Sequence, residues 1–261
     1  MNLRFTTLSI AQPKEHVTLV TLNRPAVANA MNTQLGTEIM TLFEALNLDD
    51  GATRCVVVTG TGDRAFCAGA DLKDRKDMTD EAWVRQHLIY ERMVRAILAC
   101  PIPIIAAVNG AAYGGGCELA LACDFIYASE HAKFALTEVT LGIMPGAGGT
   151  QNLPRAIGER RAKEVILTGK PFTAAEGHQW GLVPSENSIR LDSQHELESS
   201  HHPRRCLRSC TCSGSSLSTF SSRDAGWKPR TCFFIISLTS HCGERRLGCG
   251  CTAVIGRSWY G

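Results

Sequence analysis

No stretch of this 261-residue chain is apolar for long enough to cross a bilayer. The longest apolar runs, IPIIAAV at 102–108 and CFFIIS at 232–237, fall far short of the roughly 20 residues a spanning helix needs. Neither sign of charge prevails. A net charge of +2 is too small to make nucleic acid or an anionic membrane the main partner. The N-terminal MNLRFTTLSIAQPKEH has no apolar core leading to a small-residue cleavage site, so no secretion leader is expected and the cytoplasm is the default address. Three familiar motifs are also missing: G-x-G-x-x-G after a first strand, G-x-x-x-x-G-K-[ST] and G-x-S-x-G. Their absence disfavours nucleotide binding by the first two routes and leaves a serine-triad hydrolase without support.

What is present divides the chain in two. The hydrophobic fraction of 44% and charged fraction of 20% are those of a globular protein with one large or two small domains. As far as Val183 the pattern is α/β. TLVTLNRP (18–25) reads as a strand ending in a turn, TRCVVVTGTG (53–62) as a buried strand, and PIPIIAAVNG (101–110) and DFIYAS (124–129) as two more. Between them, residues 32–50 place Leu35, Ile39, Leu42, Phe43 and Leu46 at helical spacing behind an Asn32 cap. Residues 79–100 form an amphipathic helix capped by Thr79 and stopped by Pro101, and GGGCELALAC is a helix entered from glycine. Strands alternating with helices predict parallel pairing.

After Val183 the periodicity stops. Serine and arginine dominate residues 184–261, and seven of the twelve cysteines lie there: 206, 210, 212, 232, 242, 249 and 251. A core domain at 1–183 and an aberrant tail at 184–261 are therefore expected, the tail poorly ordered. A metal site built from Cys210, Cys212, Cys249, Cys251, His201, His202 or His241 is disfavoured, because Cys-x-Cys is not the usual zinc spacing. A disulfide framework conflicts with the missing leader. The preferred explanation is a shifted reading frame in place of an ordinary C-terminus.

Two acids stand inside glycine-rich segments: Glu118 in GAAYGGGCELALACD (110–124) and Glu138 in TEVTLGIMPGAGGTQ (137–151). Each alone reads first as an acid at a helix start, Glu138 with Thr137 as a cap partner. The competing reading is a desolvated carboxyl facing a cleft with a raised pKa. FCAGADLK (66–73) and NGAAYGGGCE (109–118) are glycine turns that can expose backbone N–H groups, and two such turns facing each other would form an oxyanion hole. Asp71, Asp124 and Glu176 have weaker local context, and His131 and His178 read as surface or core histidines.

Taken in order, LNRPAVANAMN (22–32), AFCAGADLK (65–73), residues 101–125, residues 134–158 and TAAEGHQWGLV (173–183) resemble the crotonase (enoyl-CoA hydratase/isomerase) superfamily, closest to its bacterial enoyl-CoA hydratases. DLKDRKDMTDE and LPRAIG are similar to methylglutaconyl-CoA hydratase. The resemblance implies a spiral of ββα units followed by C-terminal helices, assembled as a trimer or a dimer of trimers. It implies oxyanion donors at Ala70 and Gly115, with Glu138 donating a proton to the α-carbon and Glu118 holding the attacking water. It places coenzyme A against Ala68, Ala70, Asp71, Leu72, Lys73 and Gly115. The implied substrate is an acyl-CoA thioester, of which coenzyme A is a part. No metal or other cofactor is expected, because the thioester itself acidifies the α-carbon.

The implied reaction is syn addition of water to a trans-2-enoyl-CoA. The alternatives are an enoyl-CoA isomerase, a methylglutaconyl-CoA hydratase, or an inactive frame-shifted product. RNA is not an expected partner, since the basic residues of the tail (Arg204, Arg205, Arg208, Arg223, Arg230, Arg245 and Arg246) lack interleaved aromatics. Residues 184–261 show none of the alanine-rich helices that such relatives carry after this point. Resequencing the coding DNA is expected to reveal an insertion or deletion near codon 183, and an intact frame there would rule out the shift.

Overall fold

The computed structural model describes residues 4–48, 52–184, 234–236 and 253–255. The chain divides into two compact units, Met1–His202 and Pro203–Gly261. In the second, the described residues form one antiparallel pair, Phe234–Ile236 with Ala253–Ile255. The expected tail, its seven cysteines and the zinc candidates at 201–251 otherwise lie outside the described residues.

The first unit is built on a five-stranded sheet and a four-stranded sheet. The larger contains β1 (Leu8–Lys14), β2 (Val17–Leu22), β3 (Cys55–Gly60), β5 (Ile104–Val108) and β7 (Phe125–Ala128), in that spatial order. The smaller contains β4 (Ala65–Cys67), β6 (Ala111–Tyr113), β8 (Lys133–Ala135) and β9 (Phe172–Thr173). Pairing is parallel except at the margins, where β1 meets β2 and β8 meets β9 antiparallel. Each strand of the larger sheet from β3 onward is followed by a short strand of the smaller sheet and then by helical structure. After β4 come α2 (Leu72–Arg75) and α3 (Asp80–Leu98), after β6 comes α4 (Gly115–Ala122), and after β8 come the 3-10 turn Glu138–Leu141 and α5 (Gly149–Ile157). The expected α/β architecture with parallel pairing is present, and its repeat is a ββα unit.

Sequence chemistry accounts for the main elements. The Cys55–Val58 and Ile104–Val108 stretches are buried throughout, as continuous apolar strands inside a parallel sheet must be. Helix α1 (Thr33–Leu46) starts where Asn32 Oδ1 accepts the Leu35 N–H at 3.0 Å, and it buries Leu35, Ile39, Leu42, Phe43 and Leu46 as their spacing predicts. Helix α3 starts at Thr79, whose hydroxyl accepts from Ala82 N. Its outer face is not uniformly polar: Trp83, Val84 and Leu88 are exposed there. After α6 (Glu159–Thr168), α7 (Ala174–Gln179) is entered through a capping box between Thr173 and Glu176.

The small sheet was not legible. Strands β4, β6 and β8 have three residues each, too few for a period of two to register, and residues 66–73 read only as a turn. The contact that joins this sheet to α4 is steric. A Cβ on Gly116 would lie 2.0 Å from the Cys67 carbonyl oxygen and 2.8 Å from the Cys67 Cβ, so α4 rests directly on β4. Gly116→Ala must force the two apart, and overpacking of this severity costs about 3 kcal/mol or more. Urea denaturation is expected to show that loss, and an unchanged midpoint would mean that the contact is looser than described.

Candidate active site

Helix α4 carries two of the candidate groups. Gly115 is its first residue, and Glu118 lies one turn in, with the Glu118 N–H making the 3.0 Å bond to Gly114 O. Across from it runs the turn Ala68–Asp71, pinned by Met31, which donates its N–H to Gly69 O at 2.7 Å and accepts from Asp71 N at 2.9 Å. This parallel bridge uses the amides on either side of Ala70. A Cβ on Gly115 would lie 3.9 Å from Ala70 N, and one on Gly69 would lie 3.3 Å from Gly115 N. The two half-buried N–H groups are thus neighbours, and among the described residues neither donates to a protein acceptor. Two neighbouring, unspent donors of this kind can bind a developing oxyanion if both point to one place.

Both glutamates are buried, Glu118 at 3% exposure and Glu138 at 9%. Glu118 is not held by its own helix start. Its Oε1 accepts the N–H groups of Ala147 and Gly149, both at 2.8 Å, and Gly149 is the first residue of α5. The carboxylate therefore sits at the N-terminus of a different helix. Burial raises its pKa, the Gly149 N–H works against that, the nearby Glu138 charge adds to it and the Ala147 N–H again opposes it; the result is a carboxyl pushed up to about 7.

Glu138 opens the 3-10 turn, and Thr137 does not cap it with its side chain. Burial raises the Glu138 pKa as well, opposed by its own backbone N–H. Its Oε1 lies 3.2 Å from where a Cβ on Gly114 would be, beside Gly115, while its Oε2 is buried with no hydrogen-bond partner among the described residues. The site thus pairs two buried acids, and the charge of Glu138 adds to burial in raising the Glu118 pKa.

Ala68, Ala70, Asp71, Leu72 and Lys73 all line one open cleft of about 280 Å³, which also has Arg64 in its wall. Gly115 is not among its lining residues. The Asp71 carboxylate is engaged elsewhere. It caps α2 through the N–H groups of Lys73 and Asp74 and meets the Arg24 guanidinium at 3.0 Å. Burial works against ionisation there, yet Arg24 and those two N–H groups hold the carboxyl below the usual carboxylate range. Lys73 and Arg64 supply cationic charge at the cleft, which suits an anionic ligand. Among the described residues no group of three or more His, Cys, Asp or Glu side chains could hold a metal ion, and no helix is long and apolar enough to cross a membrane.

His131 and His178 are structural: the His131 ring contacts Asn109 O at 3.0 Å, and His178 contacts Val183 O at 2.9 Å. Asp124 accepts the Ile104 N–H, and Glu176 belongs to the α7 capping box. Sequence reasoning missed the Ala147 and Gly149 donors and the Met31 bridge. The glycine run PGAGG before α5 was the available signal for the donors, while Met31 had none.

Residues 12–202 match the family described as Enoyl-CoA hydratase/isomerase. YngF of Bacillus subtilis is 47% identical over 169 residues, covering 65% of this chain and 65% of that protein. The 2,3-dehydroadipyl-CoA hydratase of Escherichia coli K12 is 40% identical over 205 residues, 76% of this chain and 78% of that one. The crystal structure of an enoyl-CoA hydratase from Bacillus anthracis superposes with a TM-score of 0.69 at 40% identity, over 78% of this chain and 74% of that chain. The chain spans just under two thirds of the length of YngF.

The raised Glu118 pKa has a consequence for stability. Its folded value lies above the unfolded one, so between about pH 4.5 and pH 7 the folded state holds more protons and stability falls as pH rises. A shift from 4.5 to about 7 corresponds to roughly 3 kcal/mol. Urea titrations at pH 5 and pH 8 should show that loss in the wild type and a flatter dependence in Glu118→Gln. Equal slopes in the two proteins would show that Glu118 ionises normally.

Proposed function

The chain belongs to the enoyl-CoA hydratase/isomerase (crotonase) family, and from that premise we propose that it is an enoyl-CoA hydratase, adding water syn across the double bond of a trans-2-enoyl-CoA to give the 3-hydroxyacyl-CoA. The observation that carries the proposal is the burial of two carboxyls, Glu118 and Glu138, beside the paired N–H groups of Ala70 and Gly115. Hydration needs a base for water and an acid for carbon, whereas moving a double bond needs only one carboxyl. Keeping two mutually repelling acids in one buried site is costly without a use for both.

In the proposed reaction the thioester oxygen lies between Ala70 N–H and Gly115 N–H. Polarisation of that carbonyl withdraws electrons from the β-carbon and stabilises the enolate that forms when water adds there. The roles proposed for the two acids are those that the family resemblance implies, and their surroundings support them. Glu138 stands over Gly114, next to the oxyanion donor, with Oε2 unspent, and delivers a proton to the α-carbon. Glu118 is held rigidly by Ala147 and Gly149 and takes the proton of the attacking water. One proton enters the pair as another leaves it, so the sum is water added with the proton count of the pair unchanged, and return of the proton from Glu118 to Glu138 restores the starting state. Coenzyme A, as part of the substrate, would run along Ala68–Lys73, with Lys73 offering a cation to its phosphates. No metal or separate cofactor takes part in the scheme, and assembly as a trimer or a dimer of trimers belongs to the same proposal.

The test is the loss of conjugated enoyl-thioester absorbance on addition of the protein to a trans-2-enoyl-CoA. Glu118→Gln and Glu138→Gln are each expected to lower kcat by about a thousandfold, and the double variant by little more than either alone, because the two act as a unit. Turnover at the wild-type rate in both single variants would refute the mechanism.

A further inference from the structure

Nothing in the chemistry above uses Tyr90, although it is one of the most constrained polar side chains of the first unit. It lies on the inner face of α3 at 8% exposure. Its hydroxyl donates to the Met31 carbonyl oxygen at 2.8 Å. That oxygen also accepts the Asp71 N–H, and the Met31 N–H donates to Gly69 O. The bonds to Gly69 and Asp71 bracket Ala70 and leave its N–H turned out of the bridge. Tyr90 therefore fills the second acceptor position of the Met31 carbonyl, which with Ala28 O is one of the two carbonyls that accept from this turn.

The ring has little freedom to move. A Cβ on Gly36 of α1 would lie 2.6 Å from Tyr90 Cε1, and the Arg75 guanidinium lies over the ring at 5.6 Å. Arg75 is fixed in turn. Its Nε donates to Gln86 Oε1 at 2.7 Å, while the buried Gln86 amide donates to Thr33 Oγ1 and Asp74 Oδ2. The start of α1, the short helix α2 and the inner face of α3 thus form one polar cluster around the phenol. Burial pushes the Tyr90 hydroxyl well above the usual phenol range, so it remains a donor at all working pH values.

We infer that Tyr90 is a positioning residue for the oxyanion hole: through Met31 it sets the place of the Ala70 N–H relative to the Gly115 N–H. The inference rests on the proposed hydratase reading, since it concerns the donor which that reading assigns to the thioester oxygen. Misplacing one donor costs less than deleting it but acts on the same step, where charge on oxygen is greatest, and leaves ground-state binding along the cleft intact.

The test is Tyr90→Phe in the full chain, which removes one oxygen from a ring that keeps its packing. With a trans-2-enoyl-CoA, kcat is expected to fall about tenfold with KM within about twofold of the wild type. A second readout is spectroscopic. Butanoyl-CoA, which has no double bond to hydrate, is labelled with 13C at its carbonyl, and its stretching frequency is measured bound and free. The wild type should lower that frequency, and Tyr90→Phe should lower it less. Val17→Ala, which opens a cavity at the start of β2, a strand that pairs with β1 and β3 and carries no site residue, controls for lost stability and should leave both readouts at wild-type values. A wild-type kcat and a wild-type carbonyl shift in Tyr90→Phe would overturn the inference while leaving the hydratase reading intact. So would a fall in kcat accompanied by an unchanged carbonyl shift. If the wild type itself bound butanoyl-CoA without lowering the frequency, the oxyanion assignment would fail, and the role of Tyr90 with it.

Discussion

Helix α4 can present a free N–H at its first residue and a buried acid one turn later only because it lies directly on strand β4. The absence of a Cβ at Gly116 allows this. With the Cys67 carbonyl 2.0 Å from that position, no other residue lets the helix come so close. The approach sets Gly115 against the turn at Gly69 and Ala70, which continues from β4, and carries Glu118 beneath the loop that enters α5. Two peptide donors and a carboxyl thereby take their relative positions from one steric contact.

The electrostatics of the site follow from that placement. A carboxyl this deep would ordinarily be neutral, and the N-terminus of α5 partly offsets the burial through the Ala147 and Gly149 N–H groups. Glu138 has no comparable set of donors and keeps an oxygen without a partner. The outcome is two acids of the same type in different environments, the condition under which one residue type can supply both an acid and a base. On the other side of the Ala70 and Gly115 N–H groups, the Met31 bridge and the polar cluster around Tyr90 tie down the Ala70 turn, which its own sequence does not do.

Much of the fold was legible because its largest elements are long and periodic. The stripe Leu35, Ile39, Leu42, Phe43 and Leu46 and the caps Asn32 and Thr79 were readable from spacing alone. The apolar runs of β3 and β5 announced buried strands. Strand β1 escaped because LSIAQPK alternates weakly and is exposed over most of its length. The second sheet escaped because its strands are too short to carry a period. At the site, Glu118 and Glu138 stood out only as acids near glycines, each with an ordinary electrostatic reading. The order of five segments along the chain, rather than any one motif, raised them to a candidate catalytic pair.

Sequence by itself determined the alternation of strands and helices, the caps that start α1 and α3, and the residue types from which an acid–base site could be made. These are local properties, settled by neighbours within a few positions. Tertiary structure alone decided that the Glu118 carboxylate is held by α5 and not by its own helix. It also decided that the Asp71 carboxylate is spent on Arg24 and the α2 cap, and that the turn at Ala70 is bonded to Met31, whose carbonyl also accepts from Tyr90, although these residues lie 39 and 20 positions from Ala70 in sequence. Those outcomes depend on which backbone groups remain unpaired after the sheets have formed and on how closely two elements can approach. Neither is a property of a short stretch of sequence.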